Sequence, residues 1–272
     1  VTDVDPMSAT ISWDPTQYVR YADERGRPFA ELVGRVRVDA PRQVVDIGCG
    51  PGSLTRTLAE RWPQAQVTGV DSSPNMIEAA APHALAGRLD FVCADLREWR
   101  PAAPVDVVVA NAVLQWVPGH LELLAEIAGW LAPRGAIAFQ VPDNFDEPSH
   151  TIVRTIRTSA KWRDRLGDGA DRRIGVERPE TYLTALAGAG LEPDVWQTTY
   201  LHVLSGDDAV LEWIKGTALR PVLDLLAHDY AATEEFLAEC GAELRAAYPR
   251  GPYGTVFPFR RTFAVGHRHP QA

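Results

Sequence analysis

A chain of 272 residues, 46% hydrophobic and 23% charged, suits one large folded α/β domain with an inserted or appended cap and excludes disordered and fibrous classes. Its formal charge of −9, from 36 acidic against 27 basic side chains, supplies no net positive field for a phosphate backbone. No nucleic-acid partner is therefore expected, and a small-molecule substrate is favoured.

Cys49, Cys93 and Cys240 have neither disulfide-framework nor zinc-ligand spacing, so no metal is expected. Residues 1–12 lack a basic region followed by an apolar run, and no stretch nears the roughly 18 apolar residues of a membrane span. The expectation is a cytoplasmic protein without a membrane partner.

In chain order, Asp14-Pro15-Thr16-Gln17 reads as a helix start: Asp14 is the N-cap, Pro15 takes the first helical position and Gln17 reaches back, with the helix running to about residue 35. Residues 44–47 form a short buried strand stopped by Gly48-Cys49-Gly50-Pro51-Gly52, and 54–61 has helical spacing of apolar residues. A second strand, 66–70, leads to Ser73-Pro74, which caps and opens a helix to about residue 81, and 89–93 is a third strand. The β-branched run 105–110 suits a parallel strand covered on both faces, followed by a helix over 121–131 and a fifth strand over 135–141.

This alternation predicts right-handed crossovers and a Rossmann-like, doubly wound sheet, mostly parallel, with helices on both faces. Beyond residue 141 the pattern changes. A polar, Arg-rich stretch over 150–178 precedes a helix over 179–189 and a strand near 194–203. Helical segments at 207–215, 221–226 and 233–247 precede a last strand, 259–265, bringing the sheet to seven. The organisation expected is a single domain over 1–272: an N-terminal helix (14–35), a cofactor-binding core (43–141), a variable segment and helix (142–192), and a helical cap (206–250) inserted between the last two strands.

Gly48, Gly50 and Gly52 follow a strand and precede a helix, so their backbone can approach a ligand where a Cβ would obstruct it. Asp71 ends the second strand, where a carboxylate can accept both ribose hydroxyls of an adenosine ligand. Asp95, beside the Leu96 amide, ends the third and suits an adenine amino group and ring nitrogen. NAD-binding sheets share a glycine turn and an acid about 20 residues later, so spacing alone leaves an NAD-dependent oxidoreductase open.

The short form Asp46-x-Gly48-x-Gly50-x-Gly52 closely resembles motif I of class I methyltransferases. The resemblance implies S-adenosylmethionine as cofactor, with the glycines along its methionine part, Asp71 on the ribose and Asp95 on the adenine. Ser72, Met76 and Leu96 are assigned to the same site. The strand-four end Ala110-Asn111-Ala112-Val113-Leu114-Gln115-Trp116 also resembles that family, with Asn111 beside the methionyl group and Gln115 and Trp116 on the floor of the acceptor pocket.

Further segments narrow the likeness: Trp13-Asp14-Pro15-x-x-Tyr18, Glu24-Arg25-Gly26-Arg27-Pro28, Val141-Pro142-Asp143-Asn144, Thr198-Thr199-Tyr200, Leu219-Arg220-Pro221 and Phe259-Arg260-Arg261. These are similar to the trans-aconitate 2-methyltransferase family, across almost the whole chain. The likeness implies methyl transfer to one carboxylate of trans-aconitate or a close relative, giving a monomethyl ester. A methyltransferase for another small acid or a natural product is the alternative.

A carboxylate with a pKa of about 4 is already ionised at neutral pH, so positioning suffices and no catalytic base is expected. An acceptor with about three negative charges needs local cations and donors. Tyr18, Tyr21 and Arg25 share a helical face by spacing, and His120, His150, Arg220, Arg260 and Arg261 supply further candidates, Arg being suited to planar bidentate contacts. Of Arg25 and Arg27, one serves the cofactor's own carboxylate. Arg27 is assigned to it and Arg25 to the acceptor, with their exchange open.

Overall fold

The structure is a computed structural model and describes residues 22–166 and 175–269, with the side chains of 22–25 left aside. The first half reads α1 (Ala22–Gly34), β1 (Gln43–Ile47), α2 (Ser53–Arg61), β2 (Gln66–Asp71), α3 (Pro74–Ala80), β3 (Leu89–Cys93), β4 (Val105–Asn111), α4 (His120–Trp130) and β5 (Leu131–Pro142). The second half reads α5 (Pro148–Arg157), α6 (Arg163–Leu166), α7 (Pro179–Gly188), β6 (Leu191–Leu204), α8 (Ala209–Lys215), α9 (Arg220–Leu226), α10 (Tyr230–Ala247), β7 (Arg250–Gly251) and β8 (Gly254–Arg268).

The sheet runs β3-β2-β1-β4-β5-β8-β6, with the two-residue β7 paired to β8 as an eighth strand beyond the expected seven. β3, β2, β1, β4 and β5 are parallel, while β8 is antiparallel to both β5 and β6. The strand order reverses between β1 and β4. In such sheets the crevice outside the carboxyl ends at the reversal is where a ligand is received.

Strand alternation sends successive side chains to opposite faces and so divides the core. Val44, Val107, Val109, Ala136, Ala138 and Phe263 pack under α1 and α2, through Phe29, Leu32, Leu58 and Ala59. Val45, Ile47, Val108, Ala110, Ile137 and Phe139 face the other way, toward Leu124 and Ile127 of α4 and Tyr182 and Leu186 of α7. Burial on both faces explains why these strands read as nearly continuous apolar runs.

A third cluster lies on the far ends of β6 and β8. Leu204, Phe257 and Phe259 meet Val210, Trp213, Leu226, Phe236 and Leu244 from α8, α9 and α10. Val153 of α5, Trp162 just before α6 and Leu166 of α6 join the same cluster. The Arg-rich stretch read without an element thus contains two helices that pack with the later ones, because Ile152, Val153 and Ile156 form an apolar stripe at helical spacing. Ser73 caps α3, its hydroxyl accepting from Met76 N at 3.4 Å, as its position before Pro74 predicts. The proposed start of the first helix at Asp14 lies outside the described residues.

Candidate active site

The turn after β1 places Gly48, Gly50 and Gly52 in the left-handed region, at φ 69°, 54° and 80°. Gly48 N and Cys49 N both donate to Val70 O, at 2.7 and 3.1 Å, tying the turn to the end of β2. A β-carbon on Gly48 would fall 2.5 Å from Cβ and Cγ2 of Val113, and one on Gly52 would meet Phe91 at 2.7 Å and Ala80 at 2.8 Å. At these two positions the protein's own packing already requires glycine, whatever a ligand's approach adds to that requirement.

Asp46 is almost fully buried. Its Oδ2 accepts from Thr55 Oγ1 of α2 at 2.6 Å, while Oδ1 has no partner among the described residues. Desolvation outweighs the Thr55 hydrogen bond and, with the Asp71 charge nearby, pushes its pKa up to about 7. Asp71, at the end of β2, receives Ser73 N on Oδ1 at 2.9 Å and Gly50 N on Oδ2 at 3.0 Å. Burial raises its pKa against the pull of those backbone donors. One acceptor therefore organises both the glycine turn and the start of α3.

Ser72 is exposed beside it, and Met76 is buried on α3. Asp95 is engaged differently: Arg97 folds back on it, with Nε 3.0 Å and N 2.9 Å from Oδ1 and Nη2 2.5 Å from Oδ2. The Arg97 hydrogen bonds lower its pKa. Leu96 next to it is buried.

On the α1/α2 face, polar side chains line the carboxyl edge across the strands. Asp46 stands opposite Val109 in β4, two residues before Asn111, and Asn111 stands opposite Gln140 in β5. Gln140 Nε2 donates to Asn111 Oδ1 at 2.7 Å, and Arg261 Nη1 from β8 donates to Gln140 Oε1 at 3.0 Å. All three residues are buried. Arg261 also lies 4.6 Å from the Phe259 ring centroid.

Beyond it, Tyr200 of β6 donates to Glu31 Oε2 of α1 at 2.6 Å, and Arg27 sits 5.1 Å over the Tyr200 ring while pairing with Glu31 at 3.1 Å. The Tyr200 pKa is raised by burial first and then by Glu31, with the Arg261 charge acting in the opposite direction. The structure thus brings Arg27 and Arg261, 234 positions apart in the chain, into one electrostatic neighbourhood.

The remaining acceptor candidates separate. Gln115 is buried in the turn after β4, its Nε2 donating to Ala112 O at 2.8 Å and its Oε1 unpartnered among the described residues. Trp116 is half-buried in the same turn. His120 is buried with Nε2 3.0 Å from Tyr182 Oη and a second hydrogen bond to the Val117 backbone. Burial lowers its pKa, which disfavours the charged form, and Tyr182 is its side-chain partner.

His150 is likewise unsuited as a cation, since burial and then Arg154 bring its pKa to about 4. Arg260 is held by Asp143, through its backbone O at 2.9 Å and Oδ2 at 3.4 Å, and Arg220 pairs with Asp224 at 3.0 Å on α9. Tyr18 and Tyr21 lie outside the described residues, as does the Arg25 side chain.

Sequence reasoning missed Gln140 and Glu31, and quoted within matched segments, without a site role, Tyr200 and Asn144. The last is buried with both ends of its amide unpartnered among the described residues. Gln140 left a signal as the one polar residue in Ala136-Ile137-Ala138-Phe139-Gln140-Val141.

The donor set fits an adenosine cofactor with a charged methionyl tail. Asp71 accepts Ser73 N on Oδ1 and Gly50 N on Oδ2, with a further backbone donor at Ser72, and as a strand-end carboxylate it is an acceptor of the kind a ribose hydroxyl needs. The carboxylate of Asp95 is largely engaged by Arg97, so the Leu96 amide is the simpler partner for a ring nitrogen.

A "Methyltransferase domain" family model matches residues 44–135, which span β1 to the start of β5. The chain is 53% identical over 268 residues to the trans-aconitate 2-methyltransferase of Streptomyces avermitilis, covering 96% of this chain and 98% of that protein. It is 51% identical to the protein of that name from Rhodococcus jostii, covering 93% and 98%. In fold it is similar to the Bacillus subtilis YcgJ protein, at TM-score 0.57 and 14% identity over 90% of this chain and 99% of that one. The cyclase SpnF gives TM-score 0.55 at 18% identity, over 90% and 82%. On the near-complete alignment with these curated relatives, the chain belongs to the trans-aconitate 2-methyltransferase family of S-adenosylmethionine-dependent methyltransferases.

Proposed function

We propose that this chain methylates one carboxylate of trans-aconitate, or of a closely related polycarboxylate, giving the monomethyl ester and S-adenosylhomocysteine. The observation that carries the reading is the buried Arg261, linked through Gln140 to Asn111 at the carboxyl edge beside the β1/β4 reversal. A guanidinium there supplies the planar donor pair that a carboxylate needs in a protein whose overall charge would repel it.

When bound, the cofactor supplies an electrophilic methyl on a sulfonium. The acceptor carboxylate oxygen forms the new bond to that carbon, and the electrons of the sulfur–carbon bond stay on sulfur. The protein's task is alignment at about 3 Å and exclusion of water. Asp71 holds the ribose end, Arg27 or Arg25 the cofactor carboxylate, and Arg261 the acceptor, with Gln115 and Trp116 beside it.

The helical unit on β6 and β8 is the cap in this reading, α5 and α6 included. A small-molecule partner and a cytoplasmic location accompany this reading. The net charge is negative, and no described helix is long and apolar enough to cross a membrane.

The test is incubation of the protein with labelled S-adenosylmethionine and a panel of mono-, di- and tricarboxylates, with ester formation followed by mass spectrometry. Ester from trans-aconitate is expected. Ester only from a different acid or natural product would transfer the activity to that acceptor.

A further inference from the structure

The geometry points to Gln140 as a positioning residue that fixes which atoms Asn111 and Arg261 offer to the acceptor. Arginine can only donate hydrogen bonds, so the Gln140 amide must turn its carbonyl, Oε1, toward Arg261 Nη1, at 3.0 Å. Its other end is then necessarily the donor, and Nε2 meets Asn111 at 2.7 Å. Asn111 must answer with its carbonyl oxygen, which leaves its amide N–H group as the polar function it can offer.

The polarity of Asn111 is therefore dictated from two strands away, by a cation it does not touch. Asn111 and Gln140 are directly opposite across β4 and β5, and Arg261 is diagonal to Gln140 on β8, so all three share a face. With all three buried, rotation of any one would strand a polar group. The result is an Asn111 that presents its N–H group rather than its oxygen, a polarity matched to an anionic acceptor.

This inference rests on the proposed carboxylate acceptor, and its test separates the two. Gln140→Glu keeps the length and the Arg261 contact but removes the Nε2 donor, so Asn111 is free to reverse. Asn111→Asp keeps the oxygen that accepts from Gln140 but replaces the outward N–H by a second oxygen. Each is expected to raise the KM for trans-aconitate at least ~10-fold. In Gln140→Glu the KM for S-adenosylmethionine should change less than ~3-fold, and in both variants the Tm should stay within a few degrees. Equal worsening of both KM values together with a large fall in Tm would overturn the inference, as would an unchanged acid KM in both variants.

Side-chain amide NMR provides a readout without turnover. With S-adenosylhomocysteine present, trans-aconitate should shift the Asn111 amide resonance, identified by its loss in Asn111→Asp. Absence of ester with the unaltered protein would defeat the substrate reading instead. The polarity of Asn111 is then decided by the amide spectrum across the polycarboxylate panel, where no shift of Asn111 with any acid overturns it.

Discussion

Gly48 and Val113 approach so closely that a single β-carbon on the glycine would come within 2.5 Å of the valine side chain. The contact joins the turn after β1 to the loop after β4, the two segments flanking the reversal in strand order. Gly48→Ala is expected to combine the cost of a left-handed non-glycine residue, about 1–3 kcal/mol, with displacement of the Val113 loop. Thermal unfolding and calorimetric titration with S-adenosylhomocysteine should both show the loss. Gly48→Ala with Val113→Gly should recover part of it, and no recovery would mean the clash is not the cause.

Asp71 offers a second test. Removal of its carboxylate deprives Gly50 N and Ser73 N of their acceptor as well as any ribose hydroxyl. At roughly 1.5–3 kcal/mol per bond to a charged group, Asp71→Ala should weaken S-adenosylhomocysteine by at least ~10-fold. Titration calorimetry reads this directly, and unchanged affinity would remove Asp71 from the cofactor site.

Asp46 makes stability depend on pH. Its folded pKa, about 7, exceeds the ordinary value of 3.8, so between those values the folded state holds a proton that the unfolded chain has released. The favourable contribution is present below about pH 4 and lost as the pH rises through 7, a loss on the order of 4 kcal/mol. Asp46→Asn, which keeps an oxygen for Thr55, should flatten that slope and raise the Tm at pH 8. A Tm no higher than that of the unaltered protein at pH 8 would contradict the assignment.

Two arginines and a histidine can be ranked. Arg261→Ala should raise the acid KM most, by about 100-fold, since it removes a buried cation and strands Gln140 Oε1. Arg220→Ala should act more weakly because Arg220 is already paired with Asp224. His120→Ala should lower the Tm, through the loss of the Tyr182 contact, while leaving the acid KM within ~2-fold. A large change in acid KM from His120→Ala would return that residue to the acceptor site.

Much of the fold was legible because its signals are local. Val105–Asn111 reads as a doubly covered strand from its β-branched residues, and Ser73-Pro74 announces a helix start from two adjacent side chains. The 150–178 stretch was not legible, since its arginines mask the apolar spacing of Ile152, Val153 and Ile156, and only packing against the later helices makes that face matter. Likewise Tyr200 and Glu31 become neighbours only when α1 packs over β5 and β8.

The sequence by itself determined the Rossmann-like order, the glycine turn with its strand-end acids, and the family, because each depends on residues close together in the chain or on a long run of matched segments. Only the tertiary structure decided which polar groups act together. It paired Asn111 with Gln140 and Gln140 with Arg261, lowered the pKa of His120 and His150 by burial, and made Gly48 answer to Val113. Hydrogen-bond polarity, desolvation and steric contact depend on what lies within a few ångströms, and strand pairing brings together residues that the chain holds far apart.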